Sequence, residues 1–276
     1  MLQLNLGNKA LIFDRPAVMG ILNVTPDSFS DGGRYNQMDK ALQHCEQMLA
    51  EGADFIDIGG CSTRPNNAIA TEQEELERVI PILKAVKTAF PEALISIDTF
   101  RKNVAHACIA EGADLINDIS GGLFDKEMLP FIGQNRIPYV MMHCVGTPET
   151  IHQYTLGGDI HQTVLDFFKQ QCEVLETYGK QQIILDPGIG FGKSLEANYQ
   201  LLGDLNRYRY NNLPILIGIS RKSLINKVLH TTPETAENGT TVLNTIALLN
   251  GADILRVHDV KNAREAIELV GTFLRH

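Results

Sequence analysis

The stretch AEGADFIDIGG at residues 50–60 joins the end of one predicted element to the start of the next. A helical pattern stops at Gly52, an Ala-Asp pair makes a turn, and an apolar run begins at Phe55. Glycine after a helical pattern is typical of a left-handed helix cap, and a short apolar run is typical of a buried strand. This stretch therefore predicts a helix that leads directly into a strand.

The same order of signals occurs twice more, in AEGADLINDISGG at 110–122 and in NGADILRVHD at 250–259. Such a repeat indicates a repeated supersecondary unit. Five further apolar runs have the character of buried strands, which brings the predicted total to eight. They are AVMGILN (17–23), ALISIDT (93–99), IPYVMMH (137–143), QIILDPG (182–188) and LPILIGIS (213–220).

Amphipathic helical patterns lie between these strands. One of them opens with a predicted capping box, in which Thr71 is followed by Glu74 three residues later. Continuous apolar strands that alternate with helices over about 250 residues predict a (β/α)8 TIM barrel. We expect it to occupy residues 1–276 as a single domain, with residues 1–14 as a short N-terminal β-hairpin that turns at Gly7-Asn8. The alternative is a doubly wound sheet, which usually needs fewer strands.

Composition narrows the classes of partner. The net charge is −9, from 24 basic and 33 acidic residues, which argues against a nucleic-acid surface. No apolar run approaches the length of a membrane span. The five cysteines contain no C-x-x-C and leave one unpaired, so we interpret them as free thiols in a reducing, cytoplasmic setting.

Function in this barrel type is carried by the C-terminal ends of the strands. A strand-end aspartate such as Asp57 or Asp118 more often caps a turn, and His143 fits a packed histidine. Together, however, the acids and amides suit the edges of a polar heterocycle, and the basic residues suit an anion. A Walker loop in DPGIGFGKS is excluded because Pro187 stands where the motif needs glycine. The strand ends carry Asn23, Asp57, Asp98, Asn117, Asp118, His143, Asp186, Ser220, Arg221, Lys222, Arg256 and His258.

Seven blocks, in order and over nearly the whole chain, resemble the dihydropteroate synthase family. The resemblance implies a homodimeric (β/α)8 barrel. It also implies condensation of 6-hydroxymethyl-7,8-dihydropterin diphosphate with 4-aminobenzoate, with release of pyrophosphate and help from Mg2+. The blocks are MGILNVTPDSFSDGG, GGCSTRP, SIDT, INDISGG, LDPGIGFGK, GISRKS and RVHDV.

The resemblance also implies roles for individual residues. Asp98, Asn117 and Asp186 match residues that bind the pterin, and Lys222 matches a lysine at its other side. Arg256 and His258 match the diphosphate site, together with Asn23, which also contacts the metal. Three of these, Asp98, Lys222 and Arg256, are expected to be catalytic. The 4-aminobenzoate site is expected to comprise Thr63, Arg64, Pro65, Phe191 and Ser223, with the loop that follows the first barrel strand.

One departure from the family is visible, since the family usually has glutamate where this chain has Cys61. It motivates an alternative in which the chain is a non-catalytic paralogue that binds pterin. A further alternative is a methyltransferase that passes a methyl group from a reduced folate to a corrinoid. The TPDSFSDGG and STRP segments argue against that activity, because in the resemblance they belong to aminobenzoate capture.

Overall fold

The computed structural model describes residues 2–6, 9–25, 34–61, 69–151, 153 and 155–276. Within these ranges the chain alternates strands and helices as the sequence predicts. The strands are β1 (Leu2–Leu6), β2 (Lys9–Phe13), β3 (Ala17–Asn23), β4 (Phe55–Gly59), β5 (Leu94–Asp98), β6 (Leu115–Asp118), β7 (Tyr139–Met142), β8 (Ile183–Asp186), β9 (Leu216–Ile217) and β10 (Ile254–Val257).

The helices lie between the strands in the order expected of a barrel. Two of them, α7 and α8, follow β9. The helices are α1 (Arg34–Ala50), α2 (Glu72–Ala89), α3 (Lys102–Ala110), α4 (Met128–Asn135), α5 (Ile160–Glu176), α6 (Leu195–Gly203), α7 (Ser223–Leu229), α8 (Glu237–Leu249) and α9 (Val260–Arg275).

The eight strands β3–β10 form one parallel sheet in the order β8-β7-β6-β5-β4-β3-β10-β9. A parallel bridge between Leu185 and Ile215 joins the two edges, and the N–H of Leu185 donates to the carbonyl of Pro214 at 2.8 Å. The predicted (β/α)8 barrel is therefore confirmed. The N-terminal hairpin is confirmed as well, since β1 and β2 pair antiparallel from Leu2–Phe13 to Leu6–Lys9. Its predicted turn at Gly7-Asn8 lies outside the described residues.

One predicted strand is much shorter than expected. The run at 213–220 forms a ladder only at Leu216–Ile217. Pro214 has no N–H to donate, which limits pairing on one side. On the other side the backbone turns sharply, and Arg221 adopts a left-handed conformation with φ +60°.

The sequence repeat forms the same structure three times. Gly52, Gly112 and Gly251 have φ of +97°, +96° and +97°, as expected of left-handed helix ends. The aspartate two residues after each glycine donates its N–H to a carbonyl of the neighbouring strand segment and accepts that residue's N–H on its carboxylate. The pairs are Asp54 with Val18, Asp114 with Ile95 and Asp253 with Ile215, all at 2.8–2.9 Å.

The predicted capping box is also present. Thr71 caps α2, its side chain accepts from the N–H of Glu74, and the Glu74 carboxylate accepts from the N–H of Thr71. All five cysteines are free, as predicted. None of the helices within the described ranges is long and apolar enough to cross a membrane.

The barrel interior is closed at its N-terminal end by the hairpin. Leu2, Leu4 and Leu6 alternate on one face of β1 and are buried. They belong to one apolar cluster with inward-facing strand residues such as Met19 and Phe55. Because successive strand residues face opposite sides, the residues between them pack outward against the helices. The hairpin therefore forms the floor of the barrel.

This arrangement predicts that the hairpin contributes to stability through one face only. We expect Leu4→Ala, at a site with 0% exposure, to lower the free energy of unfolding by about 2–5 kcal/mol. The matched control is Ile12→Ala in the paired strand, where the side chain is 64% exposed and the change should stay within about 0.5 kcal/mol. Denaturant unfolding measures both. Equal effects of the two substitutions would contradict the assigned faces.

Candidate active site

The inward-facing side chains change from apolar to polar along the barrel axis. On β4 the inward residue after Phe55 is Asp57, and on β6 the inward residue after Leu115 is Asn117. The same step of two residues leads from Ile184 to Asp186 on β8 and from Ile254 to Arg256 on β10. The period of a strand thus places a polar layer directly above the apolar floor.

Arg256 is the centre of this polar layer. Its Nε donates to Asp57 Oδ2 at 2.6 Å, and its Nη2 donates to Asp98 Oδ2 at 2.7 Å. Asn117 Nδ2 donates to the same Asp57 oxygen at 3.1 Å. Burial alone would lower the pKa of Arg256, but Asp57 and Asp98 raise it, so the guanidinium stays charged. The ends of strands β4, β5, β6 and β10 are thereby joined through side chains.

The two other acids of the layer are electrostatically unusual. Burial raises the pKa of Asp98 to about 7, against the lowering effect of the Arg256 guanidinium. Burial likewise raises the pKa of Asp186, and Lys222 opposes the shift. Asp186 Oδ1 accepts from the N–H of Gly188 at 2.7 Å, which fixes the carboxylate. Perturbed carboxylates grouped at one barrel end are typical of a functional site.

Lys222 lies opposite these acids. Its Nζ donates to the carbonyl of Ile189 and lies 4.3 Å from the centroid of the Phe191 ring. Burial lowers the pKa of Lys222 to about 8, although Asp186 opposes this. A Cβ on Gly218 would lie 3.9 Å from both Lys222 Nζ and Arg256 Cβ. Gly218 therefore lies between the two basic side chains.

A second buried lysine shapes the loop that carries Phe191. Lys193 Nζ donates to the carbonyls of His143, Gly188 and Phe191 at 3.1, 2.8 and 3.1 Å. Gly188 has φ +67°, and a Cβ there would lie 1.9 Å from the carbonyl oxygen of His143. Only glycine fits such an approach. Lys193 is therefore one of the groups that hold the loop after β8, a role that the sequence pattern did not reveal.

His258 is oriented by Ser220. The Ser220 Oγ accepts from the backbone N–H of His258 at 3.2 Å and lies 3.0 Å from its Nδ1. This contact holds the imidazole ring with Nδ1 toward Ser220 and Nε2 on the far side of the ring. The adjacent Arg221 pairs with Asp259 at 2.6 Å, which holds the ends of β9 and β10 together.

Asn23 ends β3 beside Asp98. A Cβ on Gly59 would lie 3.6 Å from Asp98 Oδ2 and 3.7 Å from Asn23 Oδ1, so these two oxygens lie near a common point. Oxygen donors of this kind fit Mg2+, which keeps several waters and binds few protein groups alongside substrate phosphates. The described residues include no cluster of three or more His, Cys, Asp or Glu side chains suited to a metal. The residues therefore allow a site in which the Asn23 amide oxygen would bind Mg2+ together with oxygens of a diphosphate.

The remaining predicted site residues differ in how they are placed. Ser223 is exposed and begins α7 directly after Lys222. Thr63, Arg64 and Pro65 lie outside the described residues.

Asp118 is structural, as its strand-end position suggested, because its carboxylate accepts from Ser120, Gly122 and the Tyr139 hydroxyl. Asp57 differs from Asp118, since it joins the polar layer.

Cys61 lies at the mouth of the barrel, between an apolar cluster and the side chain of Arg101. It is half-buried and packs with a cluster that includes Phe100, Phe124 and Phe191, and burial raises the pKa of its thiol. The nearby Arg101 forms its ion pair with Glu75 of α2. The guanidinium thus has a carboxylate partner without a glutamate at position 61.

Comparison with known proteins agrees with this geometry. The family described as pterin binding enzyme matches residues 19–258. The dihydropteroate synthase of Synechocystis sp. is 45% identical over 251 residues, which cover 90% of this chain and 86% of that protein.

Two solved structures extend the match to three dimensions. The dihydropteroate synthase of Clostridium difficile, determined in the presence of pteroic acid, is 41% identical with a TM-score of 0.89 and covers 96% of this chain and 100% of its own. The enzyme of Xanthomonas albilineans with 4-aminobenzoic acid is 36% identical with a TM-score of 0.91 and covers 99% and 98%. The chain therefore belongs to the pterin binding enzymes and, among them, to the dihydropteroate synthases, which are transferases of folate biosynthesis.

Proposed function

We propose that the strand-end cluster of this single-domain barrel condenses 6-hydroxymethyl-7,8-dihydropterin diphosphate with 4-aminobenzoate. The observation that carries the proposal is the pairing of Arg256 with both Asp57 and Asp98 beside Asn117. This connected group contains oxygens that could accept from a heterocycle and a charged donor that could bind an anion. Neither the surroundings of Cys61 nor the strand ends favour the non-catalytic or the methyltransferase alternative.

The pterin would lie against the acceptors of the polar layer. Its aminopyrimidinone edge presents N–H donors, and Asp98, Asn117 and Asp186 offer oxygens at the ends of three strands. Lys222 would donate to the other side of the ring. Because these groups stand on strand ends, they are held in place before the ligand arrives.

The diphosphate would lie toward β9 and β10. Arg256 would supply a positive charge, and the His258 imidazole, held by its contact with Ser220, would contact the phosphates as a second group. Asn23 would contact Mg2+, which neutralises charge on the departing pyrophosphate when it is bound.

The reaction itself needs little proton transfer. The C–O bond to the diphosphate breaks with its electron pair on pyrophosphate, and the positive charge that develops on the pterin methylene is stabilised by the ring and by Asp98. The arylamine nitrogen, already neutral at pH 7, then forms the C–N bond and loses a proton to solvent. This chemistry needs no activated nucleophile.

The second substrate would lie at the outer end of the site. Phe191, over which Lys222 is placed, offers an apolar surface to the arylamine ring. The α7 N-terminus at Ser223 and the basic side chain of Arg64 are our candidates for its carboxylate, with Thr63 and Pro65 beside them. The solved relative from Xanthomonas albilineans contains 4-aminobenzoic acid, which supports 4-aminobenzoate as the second substrate.

We further propose that the protein acts in the cytoplasm as a homodimer. Helices α8 and α9 carry exposed apolar side chains, among them Leu269 and Phe273 at 72% and 71% exposure. Light scattering should give twice the chain mass of 30.5 kDa. Leu269→Asp should shift the protein toward the monomer, whereas Ile12→Asp, on the hairpin, should not. A monomeric wild type would contradict the proposal.

Replacement of Asp98 tests the catalytic assignment. Asp98→Asn keeps the size of the side chain but removes the charge beside the developing cation. We expect a rate loss of roughly 10²–10³ in pyrophosphate release with both substrates and Mg2+ present. Asp166→Asn, on the exposed face of α5, is the control and should leave the rate unchanged. An Asp98→Asn rate within a few-fold of wild type would show that the residue is misassigned, and a wild type without aminobenzoate-dependent release would end the proposed function.

The pH dependence of pterin binding follows from two shifted pKa values. Because the pKa of Asp98 is raised to about 7, its carboxylate takes up a proton and loses acceptor capacity as the pH falls below that value. Because the pKa of Lys222 is lowered to about 8, its ammonium loses charge above that value. Binding of 6-hydroxymethylpterin, followed by fluorescence, should be tightest between these limits. Asp98→Asn should remove the acid limb alone, and an unchanged acid limb in that variant would refute the assignment.

A further inference from the structure

We propose that Asp57 is a positioning residue that holds the Asn117 amide with its oxygen toward the substrate. This orientation makes the pocket selective for a heterocycle whose edge carries N–H donors. The inference rests on the proposed function and adds a cause for its specificity. Asp57 has 0% exposure, so it lies beneath the pocket and acts through its neighbours.

The hydrogen-bond pattern determines the amide orientation. A carboxylate oxygen only accepts, so the atom of Asn117 that lies 3.1 Å from Asp57 Oδ2 must be the NH2 group. Arg256 Nε donates to the same oxygen at 2.6 Å, which keeps that oxygen an acceptor and fixes its position. An amide has one donor end and one acceptor end. The orientation of the Asn117 amide is therefore set by Asp57, which Arg256 holds in place.

The opposite end of the amide is left for the ligand. Among the described residues nothing donates to Asn117 Oδ1. Asp57 Oδ1 and Ser96 Oγ are fully enclosed in the barrel interior without a partner, whereas Asn117 Oδ1 is not fully enclosed. Asn117 is 4% exposed, and β6 ends one residue later at the functional end of the barrel. The geometry thus places an acceptor at the base of the pocket.

This orientation has a consequence for ligand choice. With Asn117 held, the pocket presents Asp98, Asn117 and Asp186 as acceptors to the ring edge. A 2-amino-4-oxo ring supplies donors to that edge, whereas a 2,4-dioxo ring puts a second carbonyl oxygen there. A buried acceptor facing an acceptor costs about 1–3 kcal/mol, which corresponds to roughly 5- to 150-fold in affinity. Without Asp57 the amide could rotate and donate to the dioxo ring instead.

Two substitutions separate the orientation of the Asn117 amide from the negative charge of Asp57, and a third is used if one of them does not fold. Asp57→Ala removes the acceptor beneath Asn117. Asp57→Asn removes the negative charge, but its amide oxygen can still accept from both Arg256 and Asn117. Asp57→Ser, whose hydroxyl is too short to reach Asn117, replaces the alanine variant if that one does not fold. Thermal melting shows which variants are folded.

The measurement is the ratio of dissociation constants for 6-hydroxymethyllumazine, the 2,4-dioxo ring, and 6-hydroxymethylpterin, the 2-amino-4-oxo ring. We expect wild type and Asp57→Asn to prefer the pterin to a similar degree, and the ratio in Asp57→Ala to fall by about 10-fold. A purely structural role would weaken both ligands equally and leave the ratio unchanged, which would overturn the inference. Loss of discrimination in Asp57→Asn would overturn it as well, because charge would then be the cause. A wild type that binds neither ring would instead contradict the proposed function.

Discussion

The ion pairs of Arg256 with Asp57 and Asp98 determine the arrangement of the functional end of the barrel. These residues are 199 and 158 positions apart in the chain, and the barrel brings them to 2.6 and 2.7 Å. Burial of a charge is costly unless it is paired and hydrogen-bonded, and removal of one partner leaves the other uncompensated. A single guanidinium with two carboxylates and an amide therefore specifies one geometry for four strand ends.

The same group accounts for the polarity of the pocket. Asp57 uses one oxygen to hold both Arg256 and Asn117, and Arg256 in turn holds Asp98. The groups that would meet the substrate are thus fixed by hydrogen bonds beneath them. Electrostatic stabilisation by such preorganised groups needs no reorganisation during the reaction. Burial also raises the pKa of Asp98 and lowers that of Lys222, which places both near neutral pH.

Much of this could be predicted from the sequence because it depends on local patterns. The three Gly-Ala-Asp repeats predict helix ends and strand starts, and the structure gives all three glycines a left-handed φ. The strand period then identifies the ends at which polar residues collect. The resemblance to known enzymes named most of the residues found there, including Asp98, Asn117 and Arg256.

What could not be predicted depends on which face a residue occupies and on contacts between residues far apart in the chain. Asp57 and Asp118 look alike in sequence, since each lies near the end of a buried apolar run, yet Asp57 joins the polar layer and Asp118 caps its own turn. The difference arises from the face of the strand: Asp57 points into the barrel, whereas Asp118 follows the inward-facing Asn117 and points to the other side. Lys193 was missed for a related reason, because its carbonyl partners come from two separate strand ends.

A crystal structure with 6-hydroxymethylpterin bound tests the central claim most directly. The account predicts that the aminopyrimidinone edge lies against Asp98, Asn117 and Asp186 while Arg256 keeps its contact with Asp57. A ring bound elsewhere, or an Arg256 that leaves Asp57 on binding, would contradict it.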